Sequence, residues 1–197
     1  MHTVENCSEI TILEHHTGIT FSVQQQTEEG RLSFKDKATK SFIGAGKARP
    51  LELSNELFFP SFHERHWFVF LVDLKAWMFI FLDSKYEENN MFHKNIKDMM
   101  IDNFIQTWCD SHLRNMGFSQ FQTTYPALPK QDDSDSCGIF TLMKMQTYRA
   151  RNPMQTVFQA KYVPDARIRL AVDLLFSTQW IKRKDLSRTY DRKLYTF

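Results

Sequence analysis

The densest apolar stretch of the chain is HWFVFLVDLKAWMFIFLD, which begins at His66 and ends at Asp83. Its runs of aromatic and β-branched residues break only at Asp73-Leu74-Lys75-Ala76, so it reads as a β-hairpin that reverses there. A four-residue loop at this point pairs Val72 with Trp77, Phe70 with Phe79, Phe68 with Phe81 and His66 with Asp83. Trp67, Val69 and Leu71 then share the other face with Met78, Ile80 and Leu82. A hairpin apolar on both faces belongs in the middle of a sheet, covered above and below. Opposed residues of an antiparallel ladder lie side by side. The pattern therefore brings an imidazole and a carboxylate together at the open end of a buried hairpin.

Elsewhere the period changes. Phe92, Ile96, Met99, Met100, Phe104, Ile105 and Trp108 recur at steps of three and four, which predicts an amphipathic helix over about 91–114 with Gly117 ending it. Glu87 to Asn90 carries helix-start character ahead of it. Phe118 to Tyr125 alternates weakly as a strand, and Pro126 and Pro129 shape the loop that follows. A second helix is expected from Cys137 to about Arg149, and a third over 165–177. Upstream, Leu51 to Phe62 reads as a short helical or extended piece ending in an edge strand, Leu57-Phe58-Phe59, closed by Pro60. Ile10 to Leu13 and Ile19 to Val23 have strand-like content, Gln24 to Gly30 is a polar loop, and 35–50 is basic with two glycines. The fold class is α+β: a mixed sheet centred on the 66–83 hairpin and flanked by helices. The chain divides into an N-terminal region, 1–50, whose pattern says least, a main domain over 51–177, and a basic tail, 178–197.

Composition narrows the function class. At 197 residues the chain has room for one domain with a full core, and 42% hydrophobic content with eighteen phenylalanines suits an aromatic-rich interior. A net charge of +2 gives no strong pull toward nucleic acid or anionic lipid. No apolar run approaches membrane-spanning length, and Met1 to Glu14 lacks a secretory signal. Three cysteines, Cys7, Cys109 and Cys137, form no disulfide framework and fit an intracellular setting, nucleus or cytoplasm. Cys109, on the amphipathic helix, reads as a buried structural residue. His15-His16 with Cys7 lack zinc-site spacing, and Gly44-Ala45-Gly46-Lys47 lacks the spacing of a phosphate loop. Lys182-Arg183-Lys184 is a solvated basic face before it is a targeting signal.

The hairpin supplies half of an active site, and a nucleophile follows in Gln131-Asp-Asp-Ser-Asp-Ser-Cys137-Gly138-Ile-Phe. Ser134, Asp135 and Ser136 are helix-start residues, so Cys137 falls in a first turn, where free N–H groups and the helix dipole favour a thiolate. Gly138 allows a substrate backbone close to the sulfur. Gln131 offers an amide donor for an oxyanion hole beside the Cys137 N–H. Each residue alone has a plainer reading: buried cysteine, strand-end histidine, turn aspartate, surface glutamine.

Together they resemble the SUMO-deconjugating, ubiquitin-like-protein-specific cysteine proteases, the plant branch most of all. His66-Trp67, Leu82-Asp83-Ser84, and Gln131 leading to Cys137-Gly138-Ile139-Phe140 carry the likeness. Phe58-Phe59-Pro60 and Val163-Pro164-Asp165-Ala166-Arg167-Ile168-Arg169 extend it, over roughly 51–177. The resemblance implies a papain-like superfamily fold and a Cys137–His66–Asp83 triad with Gln131 in the oxyanion hole. It also implies Trp67 as a wall over the substrate's C-terminal glycines, no metal or cofactor, and a ubiquitin-like modifier, SUMO first, as partner. Two departures stand out. Ser136 occupies the place where the family has Asp before the cysteine, and no tryptophan precedes Trp67, so the family's upstream tryptophan segment is expected to be missing or rebuilt, with low turnover as the consequence. The alternatives are a protease-like module that binds its partner without turning it over, and acyl transfer to an amine.

Overall fold

The computed structural model describes residues 10–12, 36, 38–44, 46, 50–148 and 158–177. The expectations for Cys7, His15-His16, Ile19 to Val23, Gln24 to Gly30, Arg149 and the 178–197 tail fall outside these residues.

A five-stranded sheet forms the centre, in the order β1 (Ile10–Ile12), β2 (Glu56–His63), β3 (His66–Asp73), β4 (Met78–Leu82) and β5 (Gln122–Thr124). The middle three strands are antiparallel, whereas β1 on β2 and β5 on β4 are parallel, so the sheet is mixed as expected. β3 lies at its centre and is buried at every position but Trp67. Residues 36, 38–44 and 46 are helical and constitute α1. The amphipathic helix α2 spans Met91–Asp110, and α3 spans Cys137–Thr147. A separate unit, Lys161–Phe197, contains α4 (Val163–Ser177).

The two faces of the hairpin make two cores. Phe68, Phe70, Val72, Phe79 and Phe81 face Ile96, Met100, Phe104 and Trp108 of α2, with Phe42 of α1 joining the same cluster. Val69, Leu71, Ile80 and Leu82 gather with Phe58, Leu128, Met145 and Tyr148 on the opposite side. Phe104 is enclosed edge-on by Phe59, Phe70, Phe79 and Phe118, with ring centroids 5.3–6.2 Å away. Such tilted and T-shaped contacts are favoured by the ring quadrupole.

The hairpin register differs from the sequence expectation by two residues. Phe70 pairs with Phe81, Val72 with Phe79 and Asp73 with Met78, so the loop is Leu74 to Trp77. The cause is Asp73. Its Oδ1 accepts the backbone N–H groups of Lys75 (3.0 Å) and Ala76 (2.7 Å), an Asx-type turn that holds Asp73 in the ladder. Trp77 closes the loop at φ 60°. A slip of two preserves the alternation of faces, so both cores keep their expected members. It also carries His66 past the last ladder pair of β4, and the imidazole meets Asp83 through side-chain reach instead of direct opposition.

Three further boundaries move. β2 continues through Pro60 to His63 instead of stopping at Phe59. β1 pairs only with Glu56 to Phe58, so at Pro60 the missing N–H faces an edge that β1 does not cover. Helix α2 stops at Asp110, with Ser111 as its C-cap, and Gly117 (φ 68°) leads into a 3-10 turn at Phe118–Gln120. β5 is accordingly shorter than the expected 118–125. Cys109 is exposed, not buried. The covered face of α2 runs through Phe104, Thr107 and Trp108, and the next residue turns about 100° away from it.

The β2–β3 connection is a two-residue turn, since His63 pairs with His66. Glu64 and Arg65 both have positive φ, 45° and 62°, the conformation of a type I′ turn that favours Asn-Gly. A side chain there costs roughly 1–2 kcal/mol, partly offset by the entropy that glycine loses. Arg65→Gly should therefore raise the unfolding free energy by roughly 0.5–1 kcal/mol, read from denaturant melts. Destabilisation would show that the Arg65 side chain supplies more than the turn strain removes.

Candidate active site

Asp83 follows β4 and is 3% exposed. Its Oδ1 receives His66 Nε2 at 2.8 Å and the backbone N–H groups of Lys85 (2.7 Å) and Tyr86 (3.0 Å). Its Oδ2 receives His93 Nε2 at 2.9 Å. Burial by itself raises the carboxyl's pKa, but the hydrogen bonds from His66 and His93, the His66 charge and the Lys85 amide outweigh it. The group is held well below the usual carboxylate range. An ionised carboxylate only accepts, so both imidazoles donate from Nε2. In the neutral imidazole of His66 this leaves Nδ1 as the acceptor.

His66 is the first residue of β3, set by the tight Glu64-Arg65 turn, and is 3% exposed. Tyr86 and Phe92 meet its ring edge-on, at 5.0 and 5.6 Å between centroids. The ring is thus fixed by a hydrogen bond at one nitrogen and aromatic contacts on its flanks.

Cys137 opens α3 and is buried. The first intrahelical bond runs from Phe140 N to the carbonyl of Ser136 at 3.0 Å, so the N–H groups of Cys137, Gly138 and Ile139 precede the ladder. Ser136 occupies the N-cap without the expected side-chain cap. Its hydroxyl donates instead to Asp133 Oδ2, while Asp133 Oδ1 accepts the N–H groups of Asp135 (3.0 Å) and Ser136 (2.8 Å). Asp133 organises the approach to the cysteine, a role that the sequence reading gave to the three residues after it. A Cβ at Gly138 would sit 3.9 Å from Trp67 Cδ1, in ordinary contact. Residues 66–67 and 137–138 therefore meet through Trp67 and Gly138, the immediate neighbours of the imidazole and the thiol. Trp67 also packs on exposed Phe62 with ring centroids 4.9 Å apart, so the two form an aromatic ledge.

Gln131 is laced to the Asp83 segment. Its backbone N–H donates to the Ser84 carbonyl at 2.9 Å, and its Oε1 accepts the Ser84 hydroxyl at 2.7 Å. Its Nε2 gives one hydrogen to the Asp133 carbonyl at 2.7 Å. An amide nitrogen carries two hydrogens, which leaves one to offer. Gln131 thus joins the carboxylate segment to the turn that leads to Cys137.

Two residues near this centre escaped the sequence reading. His93 sits on the buried face of α2, where its signal was a histidine on the stripe that continues through Ile96, Met100 and Phe104. Lys144 is 1% exposed on α3, seven residues after Cys137 and so two turns along the same face. Burial pushes its ammonium down to about 7, with Lys130 adding to the fall and the Asp83 carboxylate opposing it. Among the described residues, no group of three or more His, Cys, Asp or Glu could hold a metal ion. No described helix is long and apolar enough to cross a membrane.

A thiol at a helix start, an imidazole held by a carboxylate and a glutamine amide are the residue types that a cysteine protease uses. The chain belongs to the Ulp1 protease family: the model of that family's C-terminal catalytic domain matches residues 34–176. It is a cysteine peptidase of that family. No curated protein matches the chain at a significant level. Among solved structures, it resembles the C-terminal Ulp1 protease domain in complex with Smt3, the yeast ortholog of SUMO. That match has TM-score 0.59 and 15% identity, and covers 86% of this chain and 69% of the other. It also resembles the SUMO protease Ulp1 with its catalytic cysteine oxidised to a sulfonic acid, at TM-score 0.60 and 16% identity over 86% and 70% of the two chains. A de-sumoylating protease matches at TM-score 0.56 and 13% identity, over 86% and 70%. At these identities the structures share the fold, which agrees with the mixed sheet and flanking helices anticipated from the hydrophobic pattern.

The buried lysine gives a pH-dependent prediction. Lys144 releases its proton at about 7 when folded and near 10.5 when unfolded, so across that window the unfolded chain binds more protons and stability rises with pH. Lys144→Met should stabilise the protein at pH 6 by on the order of a few kcal/mol, and the gain should shrink as pH approaches 10. Urea melts at both pH values test this; an equal gain at both would mean that the ammonium is not desolvated.

Proposed function

We propose that this chain cleaves the bond after the C-terminal glycine of a ubiquitin-like modifier of the SUMO type, by thiol hydrolysis. The observation that carries the reading is the buried Asp83–His66 pair, with its free acceptor Nδ1, at the strand end beside the helix that begins with Cys137. Cys137 Sγ attacks the glycine carbonyl carbon while its proton passes to His66 Nδ1. The resulting oxyanion takes hydrogen bonds from the remaining Gln131 Nε2 hydrogen and the Cys137 backbone N–H. His66 then protonates the leaving amine, and water, deprotonated by the same imidazole, releases the product from the thioester. Asp83 fixes the tautomer and stabilises the imidazolium, as the third group of a triad does. Trp67 walls the channel for the glycine tail. Packing leaves room for a methyl at Gly138, so what favours glycine there is the approach of substrate backbone. The match over 34–176 supports a catalytic domain that begins ahead of residue 51. A SUMO-type substrate implies a nuclear or cytoplasmic setting.

Cleavage of a SUMO precursor is the test. Cys137→Ala should abolish turnover and leave the melting temperature nearly unchanged, whereas His66→Ala should cost about 10²–10⁴-fold in rate. Gln131→Ala should cost on the order of 10²–10³-fold in kcat. Asp83→Asn should lower kcat more than it raises KM; a pure KM effect would make Asp83 a contact residue and remove it from the triad. Persistent cleavage by Cys137→Ala would overturn the mechanism. A wild-type chain that binds SUMO but never cleaves it would be a recognition module.

A further inference from the structure

The mechanism uses one edge of the Asp83 carboxylate and leaves the other unexplained. That second edge is occupied. His93 Nε2 lies 2.9 Å from Oδ2, at the end of a side chain with no exposed surface. Resting on the triad proposed above, we propose that His93 is a positioning residue of the reaction, a second imidazole that clamps Asp83 so that its Oδ1 stays aimed at His66.

Three observations support this. The first is the tautomer. His93 Nδ1 is buried and has no hydrogen-bond partner, while Nε2 faces an ionised carboxylate. A proton on Nε2 satisfies the carboxylate, whereas a proton on Nδ1 would leave a donor stranded and set two acceptors against each other. The second is the enclosure. Phe68, Phe81, Phe92 and Tyr125 meet the His93 ring edge-on at 5.0–5.7 Å, which leaves the imidazole little freedom to turn. The third is the anchor. His93 lies in the first turn of α2, whose N-cap Asn90 accepts Phe92 N at 2.9 Å through Oδ1, so the clamp is built on a capped helix end. A carboxylate held only by His66 and the two loop amides would be fixed at one oxygen alone. With His93 on the other oxygen, rotation about the Asp83 side chain breaks a second bond.

His93 acts through Asp83 and touches no reacting atom, so its removal should appear in orientation. His93→Phe keeps an aromatic ring in the enclosure but removes the donor. His93→Gln fits the aromatic enclosure less well but can still donate from its amide. In SUMO-precursor cleavage, below the melting temperature of every variant, His93→Phe should lower kcat by on the order of 10²-fold with KM nearly unchanged. His93→Gln should recover to within a few-fold of wild type. A merely structural histidine predicts the reverse ranking, with His93→Phe at least as active as His93→Gln, and that result would overturn the proposal. A readout that needs neither substrate nor variant is ring-nitrogen NMR of the wild-type chain, which should find His93 in the Nε2–H form with a slowly exchanging proton. A proton on Nδ1 of His93 would overturn the clamp. These outcomes are separate from those that bear on the reaction: an inactive wild type with a clamped His93 would sink the proposed cleavage alone.

Discussion

The Asp83 carboxylate is the constraint on which the site depends. It is nearly dry, and it stays ionised because four N–H groups converge on its two oxygens: two imidazoles and two loop amides. Remove those donors and burial would drive a proton onto it. An ionised carboxylate dictates the tautomer of His66 and leaves Nδ1 as an acceptor, the atom that takes the thiol proton in the mechanism proposed above. In that mechanism one electrostatic fact passes from the end of β4 to the start of β3 and on to the proposed chemistry at α3. Ser84 carries the same influence the other way, since its carbonyl and hydroxyl hold Gln131. Consecutive residues, Asp83 and Ser84, therefore hold His66 and Gln131, the proposed base and the proposed oxyanion donor.

The fold around this carboxylate is stiff for reasons of packing. The hairpin has an aromatic face against α2 and an aliphatic face whose neighbours include Leu128, Met145 and Tyr148. The first face brings His93 to Asp83, and α3 begins beside Trp67. The strained Glu64-Arg65 turn sits directly before His66. A tight two-residue turn permits little variation in where the next residue begins, so the local strain stands where position matters most.

Much of this was legible in the residues. The 66–83 hairpin announces a central position because it is apolar on both faces, and the steps of three and four from Phe92 to Trp108 announce α2. What the sequence concealed is instructive. The loop at Asp73 looks like the point of reversal, whereas its carboxylate captures the amides of Lys75 and Ala76 and delays the turn by one residue. The resulting slip of two left every face intact, which is why the cores and the His66–Asp83 contact were still anticipated. Cys109 adjoins Trp108 and so reads as interior, but one helical step is enough to turn it to solvent. α1 was hidden by basic residues and glycines around the two that matter, Ala38 and Phe42. His93 and Lys144 obey the periodicities of their helices, yet a polar residue on an apolar stripe gives no sign of its partner until the strands beneath it are in place.

The central proposal, that Cys137 is a nucleophile directed by the Asp83–His66 pair, is tested most directly by covalent capture. The full chain should be incubated with SUMO and with other ubiquitin-like modifiers carrying a C-terminal electrophile, then digested and mapped by mass spectrometry. The account predicts a single adduct, on Cys137, with SUMO favoured over the other modifiers and with capture lost when His66 is replaced by Ala. Labelling of exposed Cys109 in place of Cys137, or capture at Cys137 that proceeds equally well without His66, would contradict it.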